Sequence, residues 1–399
     1  MMKLIISTIL LLISLNASFG QSKADYYFRV LSDFEKGHTS AALALSDSLV
    51  GIFPEDAVFI RLNAGLYFKT GNYLKSQRMY ALLIPYDQAT ARLNMARCLA
   101  LVNDVEAAIN ELKEFLTLPE VFNIADVKAD TCFRYIFASK EWSEFWRGFE
   151  PDSEKLVLAE LEYLLKQKEF TEVLHDNNSF SNSRYTYMAE LMKTDALIEL
   201  KQYKEALKKV NGILKDTLSY ELLLRRAEVF SAMNEYIKAV IDISDVIELN
   251  PYEIDYYLQR AVASNNAQIY EQAISDLRYY LRFFEDHEEV WYKLSVVLLN
   301  AGINSEAVDV LSKLIAMNSG NELYFLLRAE TYSNLTNYTG AVSDYLMALD
   351  LNPRNADTYI SLGWCKHRLD DNAKACYYWH KAAHLGHPEA EFLLQQYCK

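Results

Sequence analysis

The segment from Tyr220 to Pro251, YELLLRRAEVFSAMNEYIKAVIDISDVIELNP, contains two runs of helical spacing on either side of a polar break. Leu223, Ala227 and Phe230 recur at steps of three and four in the first run, and Ala239, Ile243 and Val246 do so in the second. Pro251 closes the second run, since proline lacks the N–H that would continue a helix. The segment reads as two antiparallel helices meeting where small side chains let the backbones come close.

The pattern recurs on both sides. Ala206, Ala239, Ala273, Ala307, Ala341 and Ala375 lie 33, 34, 34, 34 and 34 residues apart. A second small-residue series, Thr194, Ala227, Ala261, Ser295, Ala329 and Gly363, runs twelve positions earlier. Tyr203, Tyr236, Tyr270 and Tyr338 each stand three residues before an alanine of the first series. A fixed period of this length marks a stacked array of one supersecondary unit. Pro54 and Pro353 fall at the phase of Pro251, so these prolines punctuate units and do not interrupt helices.

These residues resemble the tetratricopeptide repeat family. Trp291, Leu294, Ser295, Leu298, Ala307 and Leu311 follow its order of large, small and alanine positions, as do Tyr359, Leu362, Gly363, Ala375 and Trp379. The resemblance covers 187–388 most fully and extends to 22–118 through Ala64, Tyr67, Tyr73, Tyr80, Ala96, Leu99 and Ala108. It implies an all-α solenoid of stacked helix pairs wound as a right-handed superhelix. The expected organisation is a signal segment over 1–20, an amino-terminal block over 21–119, an irregular aromatic-rich seam over 120–186, the main array over 187–388 and a capping helix over 389–399. In the seam, Leu161, Leu164, Phe170 and Leu174 fit one further unit, and the polar stretch from Asp176 to Arg184 reads as a surface loop. The alternative for the seam is a ligand-binding insert.

Composition narrows the function. The 399 residues are 51% hydrophobic and 24% charged with only 12 glycines, which disfavours glycine-rich phosphate loops. Forty basic against 54 acidic residues give a net charge of −14, opposed to nucleic acid phosphates. Met1-Met2-Lys3 supplies a positive start, and Leu4 to Leu15 is an uncharged apolar run. Ala17-Ser18-Phe19-Gly20 then places small residues before Gln21, as in a cleavable export signal, so a periplasmic or secreted chain is expected. No later segment is long and charge-free enough to span a bilayer.

Three charge pairs recur sixteen residues apart at one phase: Arg226 with Asp242, Arg260 with Asp276, and Arg328 with Asp344. Placed on facing helices, each reads as an ion pair of the scaffold, with anion-receptor arginines as the alternative. The resemblance implies that first helices present a partner groove at Leu224, Leu258, Val262, Tyr292, Val296 and Leu299, continuing through Leu326, Ile360 and Trp364. Glu228, Glu289 and Glu330 edge it, which suits a protein or peptide segment with hydrophobic anchors flanked by Lys or Arg. The alternative is a groove filled by the repeats themselves.

Among five cysteines, Cys376 and Cys398 fit a disulfide across the turn at Gly386-His387-Pro388, with Cys365 to Cys376 the competing pair. His380 and His384 are spaced to share a metal, yet no paired Cys-x-x-Cys or His-Glu-x-x-His accompanies them, so no metal is expected. The chain lacks nucleophile elbow, Walker and dinucleotide motifs. A non-enzymatic interaction scaffold or adaptor of the bacterial envelope, needing no cofactor, is therefore expected. An enzyme or ligand-binding site in 120–185, or a metal- or redox-sensitive carboxyl-terminal module, is the alternative.

Overall fold

The computed structural model describes residues 22–121, 124–215 and 217–398; the export signal expected over 1–20 lies outside them. The described residues are helical with no strand. The chain divides into two compact units, one running to Met233 and including Leu249–Tyr252, the other formed by Asn234–Glu248 and Glu253 onwards. Each is a stack of helix hairpins, the all-α solenoid architecture.

In the first unit the hairpins are Lys23–Glu35 with Thr39–Ile52, Ala57–Lys69 with Tyr73–Leu83, and Gln88–Leu101 with Val105–Thr117. The helices Ile124–Ala129 and Lys140–Arg147 follow, the latter packed on Val105–Thr117, and then Ser153–Lys166 pairs with the short Phe170–His175. Ser183–Glu199 with Tyr203–Ile213 restores full length before Tyr220–Ala232. The second unit holds all but the last residue of Tyr236–Leu249, four hairpins and a last helix, Ala390–Tyr397. Those hairpins are Asp255–Asn266 with Tyr270–Leu281, Glu288–Asn300 with Asn304–Met317, Glu322–Asn334 with Tyr338–Leu351, and Ala356–Arg368 with Asn372–His384.

Local chemistry starts and stops these helices. Asp56, Asp87, Asp104, Asn321, Asn355 and Asp371 each accept a hydrogen bond from a backbone N–H of the first turn, satisfying a donor that has no partner within the helix. Turns between paired helices take a left-handed residue: Lys168, Lys201, Gln268, Gly302, Thr336 and Asp370 all have φ between 58° and 73°. Around Thr336, Asn337 N donates to Tyr332 O at 2.8 Å and Thr336 N to Ser333 O at 3.0 Å, the paired bonds that end a helix in a left-handed step.

Packing follows the two small-residue series. Ala206, Ala239, Ala273, Ala307, Ala341 and Ala375 are all fully buried, and Thr194, Ala227, Ala261, Ser295, Ala329 and Gly363 are buried as well. At Gly363 the approach leaves no room for a side chain: an added Cβ would lie 2.3 Å from Trp379 Nε1, on a ring that is itself wholly buried. The irregular stretch packs differently. Phe133, Ile136 and Trp142 join Leu112, Phe115 and Leu116 of the preceding hairpin in one cluster. Lys155, 5% exposed, donates to Leu116 O at 2.8 Å and Leu118 O at 2.6 Å, tying Ser153–Lys166 to the end of Val105–Thr117. Burial lowers its pKa, partly opposed by the carboxylates of Asp152 and Glu120.

Candidate interaction surface

In the second unit, the first helix of each hairpin buries its small residue, Ala261, Ser295, Ala329 or Gly363. Leu258, Tyr292, Val296, Leu299 and Leu326 are half-buried on these helices and Val262 is exposed at 46%, whereas half-buried Trp364 packs against Trp379 of the second helix with ring centroids 5.5 Å apart. Ile360, expected in the same row, is instead buried at 7%, because it packs on Ala375, Trp379, Ala382 and Leu393. Glu289 and Glu330 are exposed, and Glu289 reaches Lys293 Nζ at 3.0 Å. The rings of Tyr292 and Tyr324 lie 6.0 Å apart across adjacent hairpins. Asn300 Nδ2 donates to Asn265 Oδ1 at 3.0 Å, a rung between neighbouring first helices that periodicity alone does not reveal.

In the first unit Leu224 is half-buried and Glu228 exposed. Desolvation, then the nearby carboxylates of Asp195 and Glu199, push the Glu228 carboxyl above its ordinary pKa. Arg225, held by Asp195 at 2.5 Å and 2.9 Å through two nitrogens, partly offsets that acidity.

Arg260 meets Asp276 through two hydrogen bonds of 2.8 Å and 2.7 Å, and Arg328 meets Asp344 through two of 2.7 Å. Both arginines have pKa values raised by those bonds against the cost of burial. Each also reaches backwards: Arg260 Nη1 donates to Ser244 Oγ at 3.2 Å and Arg328 Nη1 to Ser312 Oγ at 2.9 Å, on the second helix of the preceding hairpin. One guanidinium thus links three helices. Arg226 donates to Asn211 Oδ1 at 3.1 Å and lies over Phe230, while Asp242 is buried at 3% in the second unit.

A second inter-hairpin tie was not read from the sequence. Glu288 accepts from Asn318 Nδ2 at 3.0 Å and Tyr324 Oη at 2.7 Å; Glu322 accepts from Asn352 Nδ2 at 3.0 Å and Asn355 Nδ2 at 2.7 Å. The equal separation of Glu288 from Asn318 and Glu322 from Asn352 was the available signal. These bonds hold the Glu288 carboxyl below its usual range, and burial followed by Glu288 pushes the Tyr324 phenol up to about 12.

Cys376 and Cys398 are joined by a disulfide, with Cα atoms 5.6 Å apart; Cys365 is a free buried thiol. His380 and His384 are exposed. Among the described residues no three His, Cys, Asp or Glu side chains converge as a metal site would require, and no helix is long and apolar enough to cross a membrane.

The hairpin stacks and their accessible first-helix positions define a helical repeat protein. No family model matches the chain. The small glutamine-rich tetratricopeptide repeat-containing protein of Dictyostelium discoideum is 37% identical over 65 residues, 16% of this chain and 20% of that protein. Anaphase-promoting complex subunit cut9 of Schizosaccharomyces pombe is 23% identical over 343 residues, 78% of this chain and 50% of the relative. The chain thus spans between a fifth and a half of the length of these relatives. Similar solved structures include YrrB, described as a TPR protein with an unusual peptide-binding site, at 17% identity over 47% of this chain and 97% of that one with a TM-score of 0.39. MamA is another, at 17% identity over 41% and 96% with a TM-score of 0.38. The chain is thus similar, over a stretch of 65 residues, to a protein named for tetratricopeptide repeats.

Proposed function

We propose that this chain is a non-enzymatic interaction scaffold or adaptor of the bacterial cell envelope. It holds a partner segment whose apolar anchors meet the first-helix positions of the second unit and whose Lys or Arg residues face Glu289 and Glu330. The observation that carries the reading is the accessible row from Leu258 and Val262 to Leu326, apolar in the middle and acidic at its edge. Apolar contact supplies affinity and the carboxylates steer and select a basic partner. The Cys376–Cys398 bond supports an oxidising compartment, as does the export signal expected from residues 1–20.

The test is crosslinking in the native envelope followed by identification of the attached chain. Val262→Asp combined with Glu289→Lys should abolish the crosslink while helical circular dichroism is retained. Unchanged crosslinking would remove the reading.

One observation favours a second reading. A cavity of about 450 Å³ opens where the short helices interrupt the first unit, lined by Leu93, Phe115 and Val121 with Arg97 and Asp130 paired at 2.6 Å on its wall. Ligand retention or turnover that disappears on Arg97→Ala, with partner crosslinking intact, would favour a small-molecule site there.

A further inference from the structure

We propose that the carboxyl-terminal end of the second unit contains a site for an aromatic side chain next to a carboxylate, presented by a partner segment. This deepens the scaffold reading, and rests on it, by fixing the chemistry recognised at one end of the partner-binding face.

The site is a cavity of about 470 Å³. Two rings wall it: Trp364 and Tyr397 meet edge to face with centroids 5.5 Å apart. A third ring, Tyr338, lies beneath the guanidinium of Arg368, whose Nε donates to Tyr338 Oη at 3.2 Å. The lining also carries hydroxyls, with Ser333 Oγ 3.2 Å from Cys365 Sγ and Tyr345 and Ser361 beside them. Rings at the walls favour a planar apolar group in edge-to-face contact, and hydroxyls deeper in accept from or donate to a phenol.

The charge requirement comes from Arg368. Arg260 and Arg328 each have a buried aspartate at a fixed position, whereas among the described residues no carboxylate pairs with Arg368, which is exposed at the cavity. Lys366 shares its last helical turn but lies 3.9 Å from Asp371, so the cation at the cavity that no carboxylate pairs, among the described residues, is Arg368. A carboxylate on the incoming segment would complete the guanidinium as Asp276 and Asp344 do elsewhere.

The disulfide keeps the wall in place. Tyr397 ends the eight-residue helix Ala390–Tyr397, and Cys398, the next residue, is bonded to Cys376 on the preceding helix. A helix of that length does not hold itself together without tertiary support. The Tyr397 ring also contacts His367 at 5.0 Å and Trp379 at 5.7 Å, so its position depends on this tether and this packing together.

The experiment uses the full oxidised chain and an acetylated, amidated peptide with Tyr-Asp at its centre, with Tyr-Asn and Ala-Asp peptides beside it, read by calorimetry and ligand-observed NMR. Saturable binding of the Tyr-Asp peptide is expected, about tenfold weaker for either comparison peptide. Arg368→Ala, at an exposed position, should reduce the Tyr-Asp peptide to the affinity of the Tyr-Asn peptide, and dithiol reduction should weaken it. No saturable binding, or equal binding of all three peptides that Arg368→Ala leaves unchanged, would overturn the site. Envelope crosslinking separates the two readings. Crosslinks sensitive to Val262→Asp with Glu289→Lys, without peptide binding, overturn this site and leave the scaffold; peptide binding with insensitive crosslinks retains this site and overturns the groove.

Discussion

The hairpins Asp255–Asn266 with Tyr270–Leu281 and Glu288–Asn300 with Asn304–Met317 share one register but solve one packing problem in opposite ways. Where the first places Arg260 against Asp276, the second places Leu294 and Val310, 2% and 6% exposed. The next hairpin returns to Arg328 and Asp344. Ion pair and apolar pair therefore occupy equivalent sites within one array. The fold does not require the charges; what they add is the backward reach to Ser244 and Ser312, which fixes one hairpin against its predecessor.

A sharp asymmetry between single and double variants is expected from this contrast. Arg260→Leu leaves Asp276, 2% exposed, with only the Gln272 amide at 3.0 Å, and should cost about 3–5 kcal/mol in urea unfolding. Adding Asp276→Val recreates the Leu294–Val310 arrangement and should bring stability back to within about 1 kcal/mol of the parent. A double variant as unstable as the single one would mean that the tie to Ser244, and not the removed charge, governs this layer.

A second contrast runs along the same array. The small residue of each first helix stands sixteen positions before a larger one: Ala261 and Leu277, Ser295 and Leu311, Ala329 and Tyr345, Gly363 and Trp379. The smallest residue faces the largest ring. Gly363→Ala should therefore cost about 3 kcal/mol, since Trp379 Nε1 stands 2.3 Å from the new Cβ and donates to Ile360 O at 3.3 Å. Combining it with Trp379→Tyr imitates Ala329 with Tyr345 and should recover part of the loss; thermal unfolding of both variants checks this.

The short helices of the first unit lack this complementarity and use a buried lysine instead. Lys155→Met should cost about 2 kcal/mol by removing the donor to the Leu116 carbonyl, while Leu118 O keeps Val121 N at 3.2 Å. Hydrogen exchange should speed up over 105–118 and 153–166 and stay unchanged in the second unit. Uniform acceleration in both units would show that the contact supports more than its own junction.

Periodicity made the hairpins legible because burial recurs with the repeat: Ala273, Ala307 and Ala341 fill one layer in successive units. The pairs Arg260–Asp276 and Arg328–Asp344 were legible for the same reason, both partners belonging to one unit. Ties between units were harder to see, since Ser244 and Ser312 are ordinary helix residues until the stacking places them beside an arginine. Exposure of individual surface positions is harder still. Ile360 and Val262 both lie on first helices at outward positions, yet Trp379 and the last helix cover Ile360 while Val262 stays open. The cavity at Ser333, Tyr338, Trp364 and Tyr397 is lined from four separate helices and has no sequence period to announce it.

The left-handed turn residues give the smallest and cleanest contrast. Gly302 and Thr336 occupy one phase of adjacent hairpins with φ of 73° and 58°. Glycine adopts this conformation freely, whereas a β-branched residue meets its own backbone there, a cost of roughly 1–2 kcal/mol. Glycine also loses more freedom on folding, which returns part of that difference. Thr336→Gly should therefore raise stability by about 0.5–1 kcal/mol, and Gly302→Thr should lower it by a similar amount although open space surrounds the new Cβ. If the two substitutions shift the urea midpoint in the same direction, contacts of the threonine side chain outweigh its backbone strain, and the turn is specified by packing.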